Sequence, residues 1–461
     1  MKRILLFVII VVLAYVIQSY WTSLPILGGY AAKHTCSLVF VAGYNEEGLR
    51  QEDLGFLQLK YVTSTINYSD SSVSTSVLGL VQVKAIYRKG LGATLVNELT
   101  EEQLRAQPFK ITTPPKVNQD TTPWPMGDQI DEENFPSNIN QALLQEAIEN
   151  LFIESDPTKL KRTRAVVVIY DGKLVAERYA PPFSRTSKFL GWSMTKSIIN
   201  ALLGILVKEG RLNIDEPAPV PEWNITADDP RRAITIKHLL EQTSGLDFNE
   251  NYYGRSDVTQ MLFQSSDMAA FAASHPLKYQ PGTHCYYTSG NTNILSRLIR
   301  HTVGEDNYHS FPYRKLFYKL GMNSMMMEVD PSGTFVGSSF SWATARDWAR
   351  FGLLYLNKGW YNNEQILTED WIQQSVILAG SNQYGEYGRH IWLNTGKNND
   401  SSIRRLPDVP TDMFFASGFD GQAVFVIPSK KLVVVRLGLT KTPGGEYGAN
   451  DFLKNIISSI Q

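Results

Sequence analysis

Ser193 and Lys196 stand three residues apart in GWSMTKSIINALLGIL (Gly191–Leu206), at the front of an apolar stretch. A serine hydroxyl becomes a useful nucleophile only when a base removes its proton. A lysine can be that base if burial or a neighbouring cation lowers its pKa. Ile198, Ile199, Leu202, Leu203, Leu206 and Val207 recur at helical spacing, and Gly210 follows as a C-cap. Residues three apart share one helix face, so Lys196 can reach the Ser193 oxygen. The free N–H groups and partial positive charge of the helix N-terminus also favour a developing oxyanion. Taken alone, S-x-x-K arises by chance often enough that a Ser N-cap with a solvated lysine is the simpler reading.

The elements that must position this pair lie on both sides of it. RAVVVIYDGKLVAERYA reads as a hairpin turning at Asp171-Gly172, and NINQALLQEAIENLF, before it, as a helix. ITIKHLLEQTSGL reads as a helix ending at Gly245, DVTQMLFQSSDMAAFAAS as a second one, and SWATARDWARFGLLYLNKG as a longer one. GQAVFVIPSKKLVVVRLG is strand, turn, strand. The order implies an α+β fold, with one antiparallel sheet built from both ends, flanking helices and an inserted all-helical region. This unit is expected over residues 138–461.

The chain has 461 residues, more than one core usually serves. MKR precedes an apolar run from Ile4 to Ile17, followed by Tyr20 and Trp21 as candidate interfacial anchors. Residues 1–22 are therefore expected to be a transmembrane signal anchor, with a cleaved signal peptide and the weak site GYAA as the alternative. Either sends the rest of the chain across a membrane. The expected location is the inner membrane, single-pass, with the catalytic part on the extracytoplasmic side, or secreted after cleavage. Residues 33–110 are expected as a small β-rich N-terminal domain, with SLVFVAG as a strand and LVQVKAIYRKG alternating. Residues 111–137, with Pro114, Pro115, Pro123 and Pro125, form a linker.

Composition excludes several classes. The net charge of -1 and the lack of a basic block argue against nucleic acid as a partner. Cys36 and Cys285 are the only cysteines, too few for a metal cluster; a disulfide and two free thiols both stay open. No H-E-x-x-H or paired Cys/His spacing points to a metal, and no phosphate loop or cofactor motif is present.

Several motifs then follow in order: GWSMTKS, EGRLNIDEP, ITIKHLLEQTSGL, YQPGTHCYYTSGNTNILSRLIR, SFSWATARDWARFGLLYLNKG and ASGFDGQAVFVIPSKKLVVVRLG. From Ala165 to the C-terminus this series resembles the serine β-lactamase-like superfamily, in its class C β-lactamase, esterase and 6-aminohexanoate-oligomer hydrolase branch. The resemblance implies Ser193 as acyl-accepting nucleophile and Lys196 as its base partner. It selects Tyr287, four residues after the Thr of P-G-T, as the proton shuttle, and leaves Tyr286 to aromatic core packing. Nearby cations would have to lower the phenol pKa. The resemblance also implies an oxyanion hole of the Ser193 and Phe419 N–H groups. Ser289, Asn291, Ser417 and Gly418 are expected at the substrate, with Trp192 and the NYYGR and NQYGEYGRH loops as aromatic walls.

Two departures matter. Y-x-S, with Ser289, resembles the nylon-oligomer hydrolases more than true β-lactamases. Ala416 stands where K-T-G or H-x-G supplies a cation for a substrate carboxylate. The KTPGG at Lys441–Gly445 reads as a loop. The expected activity is amide or ester hydrolysis of a small or peptide-like substrate through an acyl-enzyme. A β-lactamase or DD-peptidase is the alternative within that chemistry, and a non-turnover receptor the alternative outside it.

Overall fold

The computed structural model describes residues 2–48, 52–55, 57–380, 386–397 and 400–461, with most side chains of the first twenty residues outside that description. Its centre is a six-stranded antiparallel sheet. The hairpin supplies β5 (Thr163–Tyr170) and β6 (Lys173–Tyr179). The C-terminal part supplies β7 (Trp392–Leu393), β8 (Phe414–Gly418), β9 (Gln422–Ile427) and β10 (Leu432–Gly438). Their spatial order is β7-β8-β9-β10-β5-β6. Val435 of β10 pairs with Val167 of β5, so the two ends of the region meet in mid-sheet. The hairpin turn has Asp171 at φ 46° and Gly172 at φ 80°, the left-handed pair that a two-residue turn needs.

Strand alternation divides the core. Val167, Val424, Val433 and Val435 face the layer that holds the helical insertion, α3 (Thr195–Lys208) among it. Val166, Val168, Phe425 and Val434 face α2 (Gln141–Phe152) and the C-terminal helix Ala449–Ser458. The stretch expected as one helix after Asp257 is two, α4 (Asp257–Gln264) and α5 (Met268–Ala273). The Asp267 side chain accepts from Ala270 N and starts α5 afresh. The helix in ITIKHLLEQTSGL covers only Ile236–Leu240. α6 (Ser289–Val303) follows with Thr288 as its N-cap, and α7 (Ala345–Leu356) packs on the sheet.

The N-terminus departs from expectation. α1 runs from Lys2 to Phe40 as one helix, so SLVFVAG is its last turn and not a strand. Ala42 N still bonds Ser37 O at 3.0 Å. The run is apolar because the helix is enclosed there, and an apolar run without a period does not separate strand from helix. α1 lies against a four-stranded antiparallel meander, β1 (Val62–Asn67), β2 (Ser72–Val77), β3 (Val81–Arg88) and β4 (Gly92–Val96). Ile26, Ala32 and Cys36 of α1, with Val73 and Ala85 of the meander, belong to the same buried cluster as α3. Among the described residues no helix is long and apolar enough to cross a membrane. Most side chains of the anchor expected at residues 1–22 lie outside the described ones. Cys36 and Cys285 are separate buried thiols.

The proline-rich segment wraps the sheet domain. The Arg350 guanidinium of α7 donates to the carbonyls of Pro125 and Gly127, each at 2.6 Å. Trp124 Nε1 donates to Gly172 O at 2.9 Å.

Candidate active site

Ser193 lies in a 3-10 turn, Trp192–Met194, that runs directly into α3. Trp192 holds φ at 47°, an uncommon conformation for a bulky residue, and this bends the chain just before the serine. β8 passes over that bend. A Cβ on Gly418 would fall 2.3 Å from the Gly191 carbonyl oxygen, so only glycine permits this approach. Ser417 and Gly418 are thereby brought half-exposed to the nucleophile turn, and Phe419 follows as the first residue after the strand.

Lys196 is 1% exposed. Its Nζ lies 3.1 Å from Ser193 Oγ, 3.2 Å from Ser289 Oγ and 3.0 Å from Ser338 O. Burial lowers its pKa to about 8, against a partial upward pull from Glu250. Proton accounting fixes the direction of its lone pair. The Ser338 carbonyl can only accept. Ser289 Oγ gives its single proton to Glu250 Oε1 at 2.5 Å and therefore also accepts from Lys196. Once Lys196 is neutral, its two N–H groups point at these acceptors and its free pair faces the Ser193 hydroxyl.

The Tyr287 ring centre lies 4.7 Å from Lys196 Nζ. The expectation that cations lower its pKa is not met. Burial, with Glu250 adding, raises the phenol well above its ordinary value, and only the neighbouring Ser193 hydroxyl opposes this. Tyr287 is thus a proton-bearing phenol, boxed by Tyr387 and Trp392 at ring distances of 5.6 and 5.5 Å. Tyr286, expected in the core, is instead 37% exposed. Its backbone N bonds Gln242 O, so the chain is held there by main chain and not by the ring.

Ser289 sits between Lys196, Glu250 and Tyr252, whose hydroxyl is 3.1 Å from it. Asn291 does not join this group. It is 1% exposed, accepts from Ser244 at 2.8 Å and donates to Gln242 at 2.8 Å, so it braces α6 from within. The aromatic wall is Trp192, Phe419 and Tyr252. Phe419 is 44% exposed, edge-on to Trp192 at 5.5 Å and stacked on Tyr252 at 5.9 Å. In the NQYGEYGRH stretch the residues before Glu386 lie outside the described ones.

Two contributors escaped the sequence reading. Glu250 lies 39 residues before Ser289, in a loop with no helical or strand period to mark it. Its signal was the Glu-x-Tyr spacing, which places Glu250 and Tyr252 on one oxygen of Ser289. His34 of α1 packs against Trp192 with ring centres 4.9 Å apart and the rings tilted by 45°, and burial and Lys33 hold it neutral.

An antiparallel sheet with a helical insertion of this kind is matched in known proteins. A family model described as Beta-lactamase matches residues 159–455. The chain belongs to the β-lactamase family. A 6-aminohexanoate-dimer hydrolase of Paenarthrobacter ureafaciens is 24% identical over 307 residues, 61% of this chain and 74% of that one. A Bacillus anthracis protein assigned as a 6-aminohexanoate-dimer hydrolase superposes with a TM-score of 0.54 at 21% identity, covering 72% of this chain and 87% of its own. A family VIII carboxylesterase superposes at 0.54 and 15% identity, over 71% of this chain and 97% of its own. The chain thus shares the β-lactamase fold with proteins named as hydrolases.

Proposed function

We propose that the protein cleaves an amide or ester bond through an acyl-enzyme on Ser193. Neutral Lys196 takes the Ser193 proton as the oxygen attacks the carbonyl carbon. The oxyanion that forms lies against the N–H groups of Ser193 and Phe419. Tyr287 gives its proton to the departing nitrogen or oxygen as the carbon–leaving-group bond breaks, and is reprotonated from Lys196. Water then adds to the ester carbonyl, gives its proton to the same pair, and releases the acid and Ser193.

The observation that carries this reading is the buried Lys196, its Nζ 3.1 Å from Ser193 Oγ and its pKa lowered by burial to about 8. A substrate with an apolar or aromatic group fits the wall of Trp192, Tyr252 and Phe419. A β-lactamase or DD-peptidase is disfavoured. Ala416 offers no cation for a carboxylate, and Lys441 is turned to Asp420 Oδ2 at 2.6 Å. Export across a membrane belongs to the same proposal and rests on the basic-then-apolar order of residues 2–17.

The test is a fluorophosphonate probe with p-nitrophenyl butyrate turnover. Wild type is labelled and hydrolyses the ester, and Ser193→Ala does neither. No labelling of wild type rejects the hydrolase reading; labelling without turnover supports a receptor.

A further inference from the structure

The loop Phe419–Gly421 connects β8 to β9 and carries the second oxyanion N–H, yet it is short and conformationally awkward. Asp420 holds φ at 61° and Gly421 at φ 80°. A loop with two successive left-handed residues persists only where its surroundings fix it. Here three side chains do so. Gln422 is buried, and its backbone pairs with Gly418 in the β8–β9 ladder. Its Nε2 donates to Phe419 O at 3.1 Å and to Gly438 O at 2.7 Å, while its Oε1 accepts from Gly438 N at 2.9 Å. Gln422 thus grips both sides of the Phe419 peptide, through its main chain before it and its amide after it, and anchors the grip across the sheet in β10.

Arg436 holds the next two carbonyls. It is completely buried in β10 and bonds only uncharged oxygens among the described residues. Nη1 donates to Asp420 O at 3.3 Å and Gly421 O at 2.9 Å, and Nη2 to Lys161 O at 2.6 Å and Thr440 Oγ1 at 2.8 Å. Its guanidinium also lies 4.2 Å from the Tyr447 ring centre. A buried arginine without a carboxylate is costly, and its pKa falls to about 10 through burial. An apolar residue would continue the valine pattern of LVVVRLG at no such cost. From the side nearer solvent, Lys441 Nζ holds Asp420 Oδ2.

We infer that Gln422 and Arg436, assisted by Lys441, are positioning residues that hold the Phe419 N–H in the orientation an oxyanion requires. They touch no substrate and act through the loop. The inference rests on the acyl-enzyme reading above. It predicts an effect confined to stabilisation of the tetrahedral species, because Lys196, Tyr287 and the aromatic wall make no contact with the three side chains through the bonds just named, apart from the Phe419 ring, which lies 5.7 Å from Lys441 Nζ.

Gln422→Met keeps the volume and removes the amide. A displacement on the order of 1 Å at a reacting centre costs about 100-fold, so kcat for p-nitrophenyl butyrate should fall about 100-fold, with KM within about threefold. Affinity for an alkylboronic acid, whose tetrahedral adduct places an oxygen in the same hole, should fall in parallel. The acid limb of the pH profile should stay where it is in wild type. Arg436→Lys should show the same split. Should either buried variant fail to fold, Lys441→Met, altered at a partly exposed tie, should lose about tenfold in kcat and boronate affinity. Folded variants that keep both quantities within about threefold of wild type overturn the inference, as does a fall in kcat without one in boronate affinity. A wild type that is neither labelled nor active would instead reject the parent reading.

Discussion

The Glu250 carboxylate accepts a hydrogen bond from the Ser289 hydroxyl at 2.5 Å and so leaves that serine an acceptor for Lys196. Ser289, two residues after Tyr287, is thereby more than a substitute for asparagine. It couples an acidic loop residue to the base. Glu250 also faces Lys196 electrostatically and pulls its pKa upward, against the larger effect of burial.

Glu250→Gln removes that upward pull, so the Lys196 pKa should drop below about 8. The acid limb of kcat/KM for an ester should move to lower pH. The plateau should fall modestly, because a weaker base accepts the Ser193 proton less readily. A pH–rate profile of wild type and variant reads both. An acid limb that stays put or moves up refutes the coupling.

Lys196 also ties stability to pH. Its folded pKa of about 8 lies below its ordinary 10.5, so between those values the unfolded chain binds more protons. Stability from this group therefore rises with pH across that window, by roughly 3 kcal/mol at most at 1.36 kcal/mol per unit. Below pH 8 the native state carries a buried charge. Lys196→Met, inactive as an esterase, should melt at a higher temperature than wild type at pH 7. The gap should narrow above pH 9. Scanning calorimetry at both pH values checks the sign.

Tyr287, held as a neutral phenol, should matter in proportion to the leaving group's need for a proton. Tyr287→Phe should lower hydrolysis of an alkyl amide by about 100- to 1,000-fold. p-Nitrophenyl butyrate should suffer far less, since p-nitrophenolate departs without protonation. Equal losses on both substrates would assign Tyr287 a packing role.

Ser193, Lys196 and Tyr287 were legible in the sequence because short local motifs carried the family resemblance that singled them out. Ser193 and Lys196 stand three residues apart where the 3-10 turn runs into α3, and Tyr287 stands four residues after the Thr of P-G-T, one before the α6 cap Thr288. The sheet was legible because β5 and β10 are apolar runs bounded by turn residues. What stayed hidden depends on long-range return of the chain. Glu250 gains its role only where a loop folds back on Ser289, and Asn291 loses its expected one because Gln242 and Ser244 lie beside it. α1 was misread at SLVFVAG because every side chain from Ser37 to Ala42 is buried or half-buried, which leaves no polar face to mark the amphipathic period on which helix recognition depends. Gln422 and Arg436 looked like ordinary strand residues, since nothing local says which carbonyls they meet.

The enclosure of α1 is itself testable. Lys33 of α1 and Glu328 form an ion pair at 2.6 Å with both side chains buried. Glu328 further accepts from Ser37 Oγ at 2.8 Å, Ala93 N at 2.7 Å and Trp342 Nε1 at 2.9 Å, joining α1, β4 and the strand Ser341–Ala343 beside the nucleophile turn. Removing one partner leaves the other charge buried and unpaired, at about 3–5 kcal/mol, whereas replacing both by apolar or neutral groups of similar volume is far milder. Lys33→Met and Glu328→Gln should each lower the denaturant midpoint strongly, and the double variant should recover part of the loss. Because Ile26, Ala32 and Cys36 lie in the shared core, deletion through residue 40 should abolish folding, while deletion through residue 22 should leave a folded, active enzyme. A folded, active chain starting at residue 41 would show that α1 is dispensable, and additive losses in the double variant would show that the pair is not coupled.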